Sequence, residues 1–286
     1  MAAPQPSAIP DRPWPMAAVL FRSCHPEPTV AVTTVAVALA AASGRSGAGT
    51  AAVGAAVLAG QLSVGWHNDW LDAERDRAAG RRDKPVAQGL VGRRAVGRAA
   101  LTAAVVTVPL SLLSGRQAGT AHIAAVGLAW GYNAGLKSTA WSALPYAVSF
   151  SLLVTFICRG LPGAPGPPWW AIVATATLGT GAHLANALPD LEDDEATGVR
   201  GLPHRLGRTR SRVGAAALLL TASVAVTFGP GSQGPGTLAG LGVSAALVAG
   251  GTALGRQGGG RWPFRLTMGV ALVDVALLVA RGGSLR

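Results

Sequence analysis

Charge is scarce in this sequence. Only 13% of its 286 residues are Asp, Glu, Lys or Arg, roughly half the share of a soluble domain. Cysteine is scarcer still. Cys24 and Cys158 stand far apart, form no CxxC or metal-ligand spacing, and call for no oxidising compartment. No cleavable leader is expected either. The start, MAAPQPSAIPDRPWP, has no small-residue cleavage site behind a basic and apolar pair, so no signal peptide is read there. It is proline-rich, and residues 1–20 are expected to form a flexible N-terminal segment.

What fills the chain is apolar. Hydrophobic residues make up 50% of it, and the mean hydropathy is +0.38. Long runs of Ala, Gly, Val and Leu without charge imply an all-α, polytopic integral membrane protein in a lipid bilayer, with residues 21–286 as one transmembrane domain. The net charge of +11 would suit nucleic acid. The basic residues flank apolar segments instead, which is a topology signal, and no nucleic-acid partner is expected.

Nine segments can be drawn: Pro28–Gly44, Ala48–Trp66, Ala95–Leu113, Thr120–Leu136, Trp141–Cys158, Trp169–Pro189, Val213–Phe228, Leu238–Leu254 and Phe264–Ala280. Several fall short of the roughly 20 residues of an ordinary span, although Gly and Ala suit close helix contacts. With nine spans, 19 of the 24 basic residues lie on the face that holds the N-terminus. That face is expected in the cytoplasm, in a cell inner membrane. Trp169 and Trp170 are expected in an aromatic belt.

Acidic residues gather in two places. NDWLDAERD follows the second segment, and HLANALPDLEDDEATG follows the sixth, about 120 residues later. An Asn and an acidic group close a helix twice on one membrane face, a weak internal repeat. Asp69, Asp72 and Asp76 are spaced i, i+3, i+7 and share one face of a helix, with Asn68 at its border. The second cluster can be aligned in two registers. One matches Asp190 and Asp193 to Asp69 and Asp72 but meets Thr197 in third place. The other matches Asn186, Asp190 and Asp194 to Asn68, Asp72 and Asp76, and leaves Asp69 opposite Ala187. The second loses no member of its triplet and is preferred. Carboxylates on one face repel unless a cation lies between them, and hard oxygen ligands suit Mg²⁺. The plainer alternative is a loop of mutually paired charges that keeps a helix end wet.

These residues resemble the UbiA superfamily of intramembrane prenyltransferases. The NDxxDxxxD motif stands as Asn68, Asp69, Asp72 and Asp76, followed by Arg77 and KPVAQG. The second motif appears in its DxxxD form as Asp190 and Asp194. YNAGLK, Tyr132 to Lys137, resembles the family's YxxxxK-type segment. The likeness covers about residues 20–282, with one carboxylate of the longer second motif missing. It implies nine transmembrane helices around a central cavity, with both Asp motifs on the cytoplasmic side. It also implies Mg²⁺-dependent transfer of a prenyl group from a prenyl diphosphate to an aromatic or quinone-precursor acceptor.

On that resemblance Asp69, Asp72, Asp76, Asp190, Asp193 and Asp194 are candidate metal ligands. Lys137 joins the catalytic set. Asn68, Arg77, Arg82, Lys84, Tyr132 and Asn186 are candidates for the diphosphate site. Tyr132 or Trp66 would face a carbocation with its ring. His183 and Asp274 read either as pocket groups or as satisfied structural ones. A membrane terpene cyclase on the same fold is the alternative function, and a transporter is a more distant one.

Overall fold

The computed structural model describes residues 15–196, 198–231, 233–256 and 262–286. Of the segment expected to be flexible, residues 1–14 lie outside that range, and a short helix, α1 (Met16–Arg22), begins just after them. Among the described residues, nine longer helices follow. They are α2 (Pro26–Ala42), α3 (Gly47–Ala78), α4 (Arg93–Leu112), α5 (Arg116–Ala134), α6 (Leu144–Arg159), α7 (Trp169–Asn186), α9 (Leu202–Phe228), α10 (Pro235–Arg256) and α11 (Trp262–Ala280). A six-residue helix, α8 (Leu191–Ala196), lies between α7 and α9.

Each expected segment falls on one of the nine longer helices, but their membrane character is uneven. Among the described residues, α3, α4, α9, α10 and α11 are long and apolar enough to cross a membrane, and α2 and α6 are apolar but shorter. In α5 and α7 the polar His122, Tyr132, Asn133, Thr175 and His183 interrupt the apolar run. Of the nine expected spans, length and composition among the described residues support five crossings, with two more on shorter apolar helices.

Two boundaries bear on function. Helix α3 continues past Trp66 to Ala78 and so carries the whole first acidic motif. Helix α9 begins at Leu202, well before Val213, and breaks at Gly207, whose φ of 77° ends helical geometry there. Glycine adopts that left-handed conformation without a Cβ penalty.

Helix α3 packs on α2, α4 and α5, while α7 lies between α6 and α9, and α10 and α11 close against α9. The largest buried cluster joins Leu39, Val53, Val57, Phe156, Ile157, Trp170, Val226 and Leu278. Lipid tails are as apolar as these side chains, so van der Waals fit rather than water exclusion holds such helices together. Gly65 shows how close that fit is: a Cβ there would lie 2.0 Å from the carbonyl oxygen of Cys24. Trp170 belongs to this core and is only 3% exposed, so the expected aromatic belt keeps Trp169 alone, at 67%. Asp274 on α11 is 1% exposed and accepts a hydrogen bond from Ser223 on α9, which favours its structural reading. A cavity between α9, α10 and α11 is lined by Arg212, Val213, Leu247 and Thr267 among others, and by no expected site residue.

Candidate active site

The site begins with the continuous α3 helix. Because the helix does not stop at Trp66, the i, i+3, i+7 spacing sets Asp69, Asp72 and Asp76 on one buried stripe, at 1%, 8% and 6% exposure. Asn68 donates from Nδ2 to Asp72 Oδ2 at 3.1 Å and to Asn133 Oδ1 at 3.3 Å. Asn133 in turn donates to the carbonyl of Val64 at 3.0 Å, fastening α5 to α3.

Buried carboxylates need counter-charge, and two lysines from separate loops supply it. Helix α5 ends against Gly135 (φ 152°), and a 3-10 turn over Leu136–Ser138 brings Lys137 back toward α3. Lys137 Nζ donates to both oxygens of Asp72, at 2.7 and 2.6 Å, and Arg75 adds a contact to Oδ2 at 2.8 Å. Burial pushes the Lys137 ammonium below its ordinary pKa, and the Asp72 carboxylate opposes that shift. The other lysine comes from the segment between α3 and α4. Val86 and Val91 of that segment are buried beside Val19, Ala73 and Val96, and this anchor places Lys84. Its Nζ lies 2.7 Å from Asp69 Oδ1. His25, at the N-terminus of α2, also reaches Asp69 Oδ1, at 3.1 Å. The second oxygen of Asp69 is buried and finds no hydrogen-bond partner among the described residues.

The second acidic segment is built differently. Helix α7 stops at Asn186, turns follow over 187–190, and α8 starts at Leu191. Leu188 and Leu191 are buried and anchor this turn. Asn186 and Asp190 are exposed, while Asp194 is half-buried. The Asp194 amide donates to the Asp190 carbonyl at 2.8 Å, so these two stand one turn apart. The inferred repeat therefore ends at the sequence: the first motif lies on one unbroken helix, whereas the second straddles a helix end. The side chain of Asp193 and residue Thr197 lie outside the described residues.

Electrostatics joins the two segments. Burial raises the Asp194 pKa, and Arg75 and Lys137, the partners of Asp72, act on it in the opposite direction together with His204. Arg81 feels Asp76 from the first cluster and Asp190 from the second, beyond its own bidentate pair with Asp83 at 2.9 and 2.8 Å. That pair holds the Asp83 carboxyl down at about 2. Below this face lies a polar aromatic group. Tyr132 meets Tyr146 edge-on at 5.2 Å, Tyr146 stacks on His183 at 4.6 Å, and His183 shares a hydrogen bond with Ser142 at 3.0 Å.

The structure thus brings together Asn68, Asp69, Asp72, Asp76, Lys84 and Lys137, with Tyr132 and Asp194 nearby. Arg77 and Arg82 are exposed and form no ion pair among the described residues. Trp66 departs from its expected role. Its indole Nε1 donates to the Leu20 carbonyl at 2.8 Å and ties α1 to α3. Sequence reasoning missed His25, Asn133 and His204. Asn133 lies inside the YNAGLK segment, and a His directly before Pro26 was the only local cue to His25. Among the described residues no group of three or more His, Cys, Asp or Glu stands ready as a metal site. Asp69 and Asp72 each face a lysine amine.

The model of the UbiA prenyltransferase family matches residues 29–268. The chain belongs to that family. No curated protein matches it significantly in sequence. A structure of a digeranylgeranylglyceryl phosphate synthase is similar at 15% identity and a TM-score of 0.69, over 94% of this chain and 98% of that one. A UbiA homolog from Archaeoglobus fulgidus bound to GPP and Mg²⁺ gives 15% identity and 0.69, over 93% and 99%. The apo UbiA homolog from Aeropyrum pernix K1 gives 17% and 0.66, over 93% and 98%. The chain is thus a multi-pass membrane protein with a UbiA-like, all-α fold.

Proposed function

We propose that the protein transfers a prenyl group from an isoprenoid diphosphate to an aromatic or quinone-precursor acceptor, with Mg²⁺ as its metal, on the cytoplasmic side of an inner membrane. The carrying observation is the pair of buried carboxylates, Asp69 and Asp72, each met by a lysine, at the end of the bundle where the second acidic segment converges. Kinship with a homolog bound to GPP and Mg²⁺ supports the same ligand class here. The nine longer helices would surround a prenyl-binding groove.

The donor set suits a hard divalent cation. It is made of carboxylate oxygens, and one of them, Asp69 Oδ2, is buried without a partner among the described residues. Asp69, Asp72 and Asp76, with Asp190 and Asp194, would hold the metal. Bound Mg²⁺ would supply neutralising charge for the departing diphosphate. Lys84 and Lys137 would turn from the carboxylates to phosphate oxygens, adding positive charge where negative charge develops. As the C1–O bond of the allylic diphosphate breaks, its electron pair leaves with the diphosphate. The acceptor nucleophile then bonds to C1 and gives up its proton. Tyr132 and Tyr146 would present ring faces to the transient cation, and the surrounding apolar helices would exclude water.

The test is mass spectrometry of lipid-extractable products after expression with defined prenyl diphosphates and a panel of acceptors. The panel includes a glyceryl phosphate, because of the similarity to the digeranylgeranylglyceryl phosphate synthase. A prenylated aromatic product is expected. Product formed with every acceptor omitted would point to cyclisation, and a prenylated glyceryl phosphate alone would replace the aromatic acceptor.

A further inference from the structure

His25 occupies an unusual position. Its backbone is left-handed, φ 56° and ψ 74°, a conformation uncommon outside glycine and found where the surroundings enforce it. The next residue, Pro26, opens α2. The strain delivers the ring to the acidic motif, and among the described residues its side-chain polar contacts fall on one nitrogen. Nε2 lies 3.1 Å from Asn68 Oδ1, 3.1 Å from Asp69 Oδ1 and 2.7 Å from Lys84 Nζ.

One imidazole nitrogen cannot serve all three. Carrying a proton, it can donate to Asn68 or Asp69, but it then faces the ammonium of Lys84, which only donates. Without a proton it accepts from Lys84, and then two oxygen lone pairs face its own. Either way a close polar contact goes unmet, next to Asp69 Oδ2, which has no partner among the described residues. An anion would relieve the conflict, because it accepts from both Lys84 and a protonated Nε2. The ring is also the reachable part of the group: its side chain is 37% exposed, against 13% for Lys84 and 1% for Asp69.

We infer that His25 is a substrate-binding residue that, with Lys84, clamps the diphosphate of the prenyl donor and in doing so frees Asn68 and Asp69. This rests on the prenyl-diphosphate reading above. Before substrate arrives, the clamp holds Asp69. Once the diphosphate binds, it takes the two donors and the carboxylate is released toward the metal.

The experiment titrates the full chain in detergent with inorganic pyrophosphate in the presence of Mg²⁺, by calorimetry. Losing one charge-assisted hydrogen bond in H25F should weaken binding by about tenfold. H25Q retains a donor of similar reach and should recover most of that loss. H25N tolerates the left-handed backbone but is too short to reach, so it should match H25F and decides the matter if H25F fails to fold. Mn²⁺ alone, followed by electron paramagnetic resonance, should bind the variants at least as tightly as wild type, because Asp69 is then held by Lys84 alone. Wild type that ignores pyrophosphate overturns the prenyl-diphosphate reading and the clamp with it. Wild-type-like binding by H25F or H25N overturns the clamp and leaves that reading intact. Weaker Mn²⁺ binding in the variants would make His25 a metal ligand and also overturn the clamp.

Discussion

Asp72 accepts hydrogen bonds from Lys137, Arg75 and Asn68 while only 8% exposed. Replacing it with Asn keeps the volume but leaves the buried Lys137 ammonium without its carboxylate. Asp72→Asn should lower turnover on the order of 100-fold, the scale seen when one preorganised electrostatic contact is lost. Lys137→Met leaves Asp72 with Arg75 and Asn68 and should cost about tenfold, one charge-assisted contact. Pyrophosphate release from geranyl diphosphate measures both, and an Asp72→Asn protein as active as wild type would remove Asp72 from the site. The second cluster needs finer discrimination, because its register was chosen from spacing. Asp190→Asn and Asp194→Asn should each slow turnover and raise the Mg²⁺ needed. Asp194→Asn should do so more, since Asp194 is half-buried and coupled to Lys137. Asp193→Asn and Thr197→Ala should do less. Turnover followed against Mg²⁺ separates the four. A silent Asp194→Asn beside an inactive Asp193→Asn would mean that the other register is the true one.

At the scale of elements, α3 organises the site, and its position depends on Gly65. A Cβ there meets the backbone of Cys24, which cannot rotate away. Gly65→Ala should force α3 from the α1–α2 junction, displace the neighbouring His25, and cost about 1–3 kcal/mol or more, as overpacking does. Gly127→Ala on α5 is the control, since its Cβ would meet nothing within 4 Å. A lower melting temperature in detergent is expected for the first substitution only, with pyrophosphate affinity falling alongside it. The same helix shows what the sequence reveals. The stripe of Asp69, Asp72 and Asp76 was legible because a helical period needs only local spacing, and Lys137 and Lys84 were legible through the motif. His25 was not, because its contacts reach 43 residues along the chain and no local pattern encodes a tertiary approach. The end of α7 at Asn186 was hidden for a related reason. It depends on Leu188 and Leu191 finding buried places, which matching Asn and Asp spacings in the two motifs could not report. Trp170 looked like its neighbour Trp169 in sequence, but one helical step separates core from surface.

For the molecule as a whole, the charge bias and the structure bear on one question: which ends of the helices share a side. The segments after α3 and α7 meet in the fold, since Arg81 feels both Asp76 and Asp190, so they must lie on one face of the membrane. In the proposed orientation, the excess of Lys and Arg puts that face in the cytoplasm. Arg116 opens α5, one helix away from the α3 exit, and should lie on the opposite side. The native cysteines, Cys24 and Cys158, are both buried and should give little background in a labelling experiment. Single cysteines at Arg81, Arg205 and Arg116 sit at exposed positions. The Arg81–Asp83 pair is a surface pair, 45% and 59% exposed, of a kind that contributes little to stability, so its loss should leave the fold intact. A membrane-impermeant maleimide applied to intact cells should label Arg116→Cys, and should label Arg81→Cys and Arg205→Cys only after the membrane is opened. Labelling of Arg81→Cys and Arg205→Cys from outside would invert the orientation while keeping the two acidic segments together. Labelling of one without the other would break the shared face on which the proposed site depends.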